Sequence, residues 1–130
     1  MRLSAVVTVH RTAEDARWEM AESLEETMRC PTQQLQEGEQ IGSLVAVNLL
    51  NGESGLTASD DSLIESGEFL STALGGPHPY SWQQAQSLQF TVAVTGKGAQ
   101  GRAEQEIAAL VAQAQAAMLV RLETAVEKQS

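Results

Sequence analysis

The sequence predicts an α+β fold, an α/β layer in which two main helices pack on a small mixed β-sheet of about three to five strands. Three observations predict it. Apolar residues recur at helical three- and four-residue spacing over 13–29 and again over 102–127. They alternate with polar residues over 3–10 and 87–95. Over 43–50 they occupy both sides of an extended stretch. At 130 residues the chain reads as a single domain, 1–130, large enough for one core.

"LSAVVTVH", residues 3–10, puts Leu3, Ala5, Val7 and Val9 on one side of a half-buried strand. Ser4, Val6, Thr8 and His10 take the other, so His10 lies on the more polar face. Thr12 then reads as an N-cap, with Glu14 and Asp15 in the first helical turn. Ala13, Ala16, Met20, Leu24 and Met28 make one apolar stripe, and Pro31 ends the helix. Glu14, Asp15, Glu19, Glu22, Glu25 and Glu26 lie mostly off that stripe and read as a solvated face, not as acid–base machinery.

Residues 32–42 are polar and contain glycine, which predicts a loop. "SLVAVNLL", 43–50, predicts a central strand covered on both sides, and Asn51-Gly52 a turn. Leu63, Ile64, Gly67, Leu70 and Leu74 fit a helix face capped by Ser59 and stopped by Gly75-Gly76-Pro77. The same stretch also reads as a short hairpin around Ser66-Gly67; the helix is favoured. On such a helix Asp60, Asp61, Glu65 and Glu68 would cluster, without a histidine and so without a specific metal site. "GGPHPY", 75–80, predicts a loop. In "SLQFTVAVT", 87–95, Leu88, Phe90, Val92 and Val94 face inward. A long C-terminal helix follows, with Ala103, Ile107, Leu110, Val111, Ala114, Met118, Leu122 and Ala125 as its stripe.

The net charge of −9 is placed unevenly: residues 1–70 carry thirteen acidic and four basic side chains, while 71–130 carry four of each. Such a surface repels phosphate backbones, which predicts no specific nucleic-acid binding. Cys30 is the only cysteine, so no internal disulfide forms; it is expected to be a half-buried structural thiol. No apolar run approaches the ~20 residues of a membrane helix, and the N-terminus lacks a long apolar segment. A soluble, unexported protein is the expectation.

Gly96-Lys97-Gly98-Ala99-Gln100-Gly101 matches G-x-G-x-x-G where a strand passes into a helix. A dinucleotide fold needs a further strand with an acidic residue at its end, whereas here the helix runs on to the end of the sequence. Glu104 and Glu106 would also oppose a phosphate in the first turn. No cofactor, and no metal, is expected. No constellation around His10, His78 or Cys30 specifies a nucleophile and base, so the chain is not expected to be an enzyme.

"SLVAVNLLNGESG" (43–55), "SWQQAQSLQFTVAVTGKG" (81–98) and "GRAEQEIAALVAQAQAAM" (101–118) together resemble the tail-terminator and tail-completion proteins of long-tailed phages. In these a Val-Ala-Val-x-Leu strand leads into a small-residue turn, then an alternating strand, a loop and an Ala-Glu helix. This chain differs in its opening strand and in the stretch 56–80. The resemblance implies a structural virion protein that forms a homo-oligomeric ring, usually hexameric. Such a ring caps the tail tube and joins it to the head–tail connector. Its implied partners are other copies, the tail tube protein and that connector; its implied place is the virion tail, assembled in the host cytoplasm. An acidic lumen would let DNA slide past. Two other readings stay open: a small ligand-binding or regulatory α/β domain without catalytic activity, and a small enzyme completed between subunits.

The C-terminal helix supplies the candidate interface. About 26 residues at 1.5 Å each span ~39 Å, as long as a whole domain whose radius of gyration is about 14 Å. One end should overhang the core, and Leu119, Val120 and Val126 carry apolar surface beyond the main stripe. These three residues are the expected oligomer contact.

Overall fold

The computed structural model describes residues 2–30, 32–50, 61–73, 75–98 and 103–129. Its elements run β1 (Arg2–Val9), α1 (Ala13–Arg29), β2 (Gln33–Gln36), β3 (Glu39–Leu50), β4 (Asp61–Ser71), β5 (Gly75–Ser87), β6 (Phe90–Lys97) and α2 (Glu104–Gln129). The six strands form one sheet in the order β1-β6-β5-β4-β3-β2, with every neighbouring pair antiparallel. The class is α+β as expected, but the sheet has more strands than expected and is not mixed. The turns explain this. β2 to β6 follow one another as a meander, and two-residue connections such as Leu88-Gln89 can join only antiparallel strands.

Three stretches depart from the sequence reading. Residues 33–36 and 39–42 are strand, not loop: a glutamine-rich hairpin turns at Gly38, whose φ is +78°. Residues 61–71 are strand, not helix; 51–60 and Leu74 lie outside the described residues, and with them the Asn51-Gly52 turn and the Ser59 cap. "GGPHPY" opens β5. Pro79 is tolerated there for a specific reason. Gly98 N donates to Pro79 O at 2.7 Å, so odd-numbered residues of β5 turn their polar groups toward β6. Pro79 therefore lacks its N–H only where β6 is ending. Leu88 leaves the strand altogether: it sits in the β5–β6 turn with φ +53° and is exposed. Phe90 is half-buried, whereas Val92 and Val94 are fully inside.

The sheet is strongly curled. β1 and β3 are four strand spacings apart, about 19 Å across a flat sheet, yet Arg2 Nη2 lies 3.3 Å from Glu39 Oε1. Period-two alternation and the register put Thr91, Thr95 and Lys97, Tyr80 and Trp82, Glu65 and Phe69, and Ile41 on the concave face. One apolar cluster there comprises Ile41, Leu44, Phe69 and Tyr80, with Trp82 against it. α1 packs on the same face, capped by Thr12 Oγ1, which accepts from Asp15 N at 3.0 Å. Ala16, Met20 and Thr27 are its buried residues, while Met28, expected on the stripe, is 75% exposed. Two successive steps of four residues rotate Met28 about 80° away from Met20, whereas Thr27 returns to within about 20° of it.

α2 covers the convex face of β5 and β6. Ile107, Val111 and Leu119 join Ala85, Val92 and Val94 in a second apolar cluster. Ala103 and Ala125, the ends of the expected stripe, are exposed. Gln115, which sequence reasoning left outside, is fully buried in the seam and donates from Nε2 to Val92 O at 2.9 Å. Gly96 sets how closely helix and sheet approach: a Cβ there would stand 2.6 Å from Val111 Cγ2 and 3.0 Å from Ile107 Cγ2. Gly96→Ala is therefore expected to cost roughly 1–3 kcal/mol, as overpacking does, measured by urea unfolding. A neutral result would mean that α2 does not seat against this face of β6.

Candidate functional site

Three polar clusters hold the elements together. The first joins β1, α1 and β6. His10 Nε2 lies 2.8 Å from Glu19 Oε2 and 3.2 Å from Thr91 Oγ1, and Thr91 Oγ1 donates to the same Glu19 oxygen at 2.6 Å. Facing a carboxylate, Nε2 carries the hydrogen. A nucleophilic relay needs the hydroxyl to donate to one imidazole nitrogen while the carboxylate holds the other. Here both donors converge on Glu19, and Thr91 is buried. The arrangement is a clamp between α1 and the sheet. The expected surface histidine is thus a tethered one. Cys30 is exposed rather than half-buried, as the C-cap of α1. It stands about 16 Å along α1 from Glu19, which the His10 imidazole contacts, so Cys30 and His10 do not form a catalytic pair.

The second cluster lies deeper on the concave face. Glu65 is 5% exposed, and Thr27 Oγ1 bonds both its Oε2 and, at 3.1 Å, the Ser23 carbonyl. One hydroxyl has one hydrogen for two acceptors. Thr27 Oγ1 therefore serves the Glu65 carboxyl and the Ser23 carbonyl in competition. Burial pushes the Glu65 carboxyl above its ordinary value; the Thr27 bond opposes this, and the Glu26 charge adds to it. Burial, and secondarily Glu65, also pushes the Tyr80 phenol up. Glu65 and Glu68 occupy alternate positions on β4 and so opposite faces. The acidic cluster expected on a helix does not form from them, and among the described residues no His, Cys, Asp and Glu group could hold a metal ion.

The third cluster closes the curl. Glu39 accepts from Lys97 Nζ at 2.9 Å and from Arg2 at 3.3 Å. The Lys97 ammonium sits 5.2 Å from the centre of the Phe69 ring. Lys97 is the cation of the glycine motif, and it is engaged across the sheet. Gly98 meets Pro79, since a Cβ on it would lie 2.8 Å from the Pro79 carbonyl. Close backbone approach accounts for Gly96 and Gly98 without a phosphate. Ala99, Gln100 and Gly101 lie outside the described residues.

The expected interface residues separate. Leu119 is 2% exposed and part of the chain's own core. Val120 is 59% exposed. Val126 is partly covered and borders a cleft of about 290 Å³ between the end of α2 and the β5–β6 turn, where Leu88, Phe90 and Leu122 supply apolar walls. The surface that sequence reasoning missed is β1. Its alternation predicts a buried side, yet Leu3, Val6, Val7 and Val9 are all exposed. The available signal was Val6, an apolar residue on the face expected to be polar. Compared with known family models, curated proteins and solved structures, the chain matches none. Among the described residues no helix is long and apolar enough to cross a membrane.

Two outcomes test these clusters. Glu39→Gln strands Lys97, which is 15% exposed at its side chain, and is expected to cost roughly 3 kcal/mol. Arg2→Ala, removing a cation that is 57% exposed, should cost under about 1 kcal/mol. Equal losses in chemical unfolding would show that Lys97 is not the closing contact. Glu65 gives a pH signature. Because its folded pKa is raised above 4.5, its stabilising contribution is complete below the unfolded value and is lost as pH rises through the folded one, at up to about 1.4 kcal/mol per pH unit. Glu65→Gln should flatten that fall and raise stability at neutral pH. An unchanged pH profile would place the Glu65 charge in contact with water.

Proposed function

We propose that this chain is a structural, self-assembling protein rather than a catalyst, and that it serves in phage tail completion. Copies close a ring, hexameric in the family it resembles, which caps the tail tube and offers a surface to the head–tail connector. The observation that carries this reading is apolar surface left outside the core around the end of α2. There Val120 is exposed and Val126, Leu122 and Leu88 line an open cleft. A neighbouring copy covering that surface would meet the usual requirement of a subunit contact.

Charge supports the same reading. Glu14, Asp15, Glu22, Glu25 and Glu26 are all exposed on α1, and a ring that turned such helices toward its lumen would repel the DNA passing through. The ionisable side chains that meet beneath α1 fasten it to the sheet. A second reading, a small ligand-binding or regulatory domain, has one feature in its favour: an open cleft of about 390 Å³ bordered by Gln34, Gln40, Leu70 and Ser71.

Light scattering and negative-stain microscopy of the purified chain test the ring. The expected result is a closed particle of several copies, and Val120→Glu combined with Val126→Glu should weaken its assembly at least tenfold. A chain that stays monomeric at every concentration would end this reading, and a small-molecule thermal shift would favour the second.

A further inference from the structure

The sheet has two unlike edges. β2, at one end, is four residues long with an irregular register against β3, features that discourage further pairing. β1, at the other, is eight residues long and pairs with β6 without a register shift. It contains no proline and no lysine, and its only charge is Arg2. Among the described residues nothing pairs with its outer side. Apolar side chains flank that side on both faces, Val6 on the concave one and Leu3, Val7 and Val9 on the convex one.

The backbone phase of this edge follows from one bond. His10 N donates to Gln89 O at 2.8 Å, continuing the β1–β6 register. Antiparallel ladders alternate, so Arg2, Ser4, Val6 and Thr8 direct their N–H and C=O groups to β6. Leu3, Ala5, Val7 and Val9 direct theirs outward. We infer that this edge is an isologous contact, in which β1 pairs antiparallel with β1 of a second copy about a two-fold axis through Val6.

Three features select that occupant. A two-fold axis perpendicular to the sheet keeps each face on its own side, so residues opposite one another must have the same parity. The axis at Val6 sets Leu3 against Val9, Ala5 against Val7 and Ser4 against Thr8, which pairs apolar with apolar and hydroxyl with hydroxyl. The same axis brings every outward N–H and C=O of Leu3, Ala5, Val7 and Val9 into a hydrogen-bonded pair, and leaves Val6 opposite Val6 in a non-hydrogen-bonded one. Charge agrees. Two chains of net charge −9 repel one another, and residues 2–11 contain Arg2 and Arg11 but no acidic side chain. At the ends Arg2 comes opposite His10, whose imidazole is already engaged by Glu19.

This contact differs in symmetry from a head-to-tail ring contact and does not depend on the ring. Cysteine cross-linking reads the symmetry directly, because a residue on a two-fold axis meets itself. Opposed Cα atoms in a non-hydrogen-bonded pair lie about 4.5 Å apart, within disulfide range. In a Cys30→Ser background, Val6→Cys oxidised with copper phenanthroline should become a covalent dimer. Ser4→Cys alone and Thr8→Cys alone should not, whereas the two mixed should cross-link to each other. A Val6→Cys chain that cross-links no better than Ser4→Cys overturns the inference, and so does a wild-type chain that is monomeric by light scattering at concentrations of tens of micromolar. Rings seen by microscopy without a Val6 cross-link would overturn the edge pairing and leave the ring standing; a Val6-linked dimer that never closes into rings would do the reverse.

Discussion

Glu39 accepts from two cations, Lys97 and Arg2, that belong to strands on the far side of the sheet. That contact is possible only because the sheet curls, and the curl decides what each face can hold. On the concave face Ile41, Leu44, Phe69 and Tyr80 form one apolar cluster. The same face takes α1. The convex face takes the other helix, and α2 seats chiefly on β5 and β6. Lys97 serves the closure twice, through the carboxylate of Glu39 and through the face of Phe69, both on strands further along the sheet.

Both helices are fixed by polar contacts inside apolar seams. Thr27 ties the last turn of α1 to Glu65 in β4, and Glu19 ties its first half to Thr91 in β6 and to His10 beyond β1. Gln115 does the same for α2, reaching the Val92 carbonyl from the centre of the helix. Apolar surfaces slide past one another at little cost, whereas a buried donor that loses its acceptor is penalised. These bonds therefore set the rotation of each helix about its own axis. The burial of Thr27 in place of Met28, and of Gln115 beside Val111, follows from them.

What remains uncovered is as informative as what is packed. β1 and the end of α2 carry apolar side chains in water, while α1, which bears six of the seventeen acidic residues, is completed by its own contacts with the sheet. A protein that repels its copies over much of its surface and offers them apolar strips elsewhere associates in few ways. The proposed tail-completion ring would use the end of α2, and the proposed edge-to-edge pair would use β1, each with its own symmetry.

Sequence alone determined the elements that carry their own signal. α1 matches its expected span, 13–29, because Thr12, the stripe around Met20 and Pro31 act locally. α2 and the greater parts of β1, β3 and β6 were legible from periodicity for the same reason. β2, β4 and the start of β5 were not. In β4 the concave face carries Glu65 and Gly67 beside Leu63 and Phe69, and the convex face carries Ile64 and Leu70, so alternation is lost and a helical spacing appears by chance. In β5 the prolines disguise a strand, and the donor missing at Pro79 falls where a neighbour ends. Of the candidate site, the length of the C-terminal helix was readable from its periodicity, but the separation of Leu119 from Val120 was not, since helix rotation is set by Gln115 and the sheet beneath it. The exposure of β1 was likewise decided only by tertiary structure. A strand's periodicity records that it has two faces; which face is covered depends on where the curl lets the helices sit.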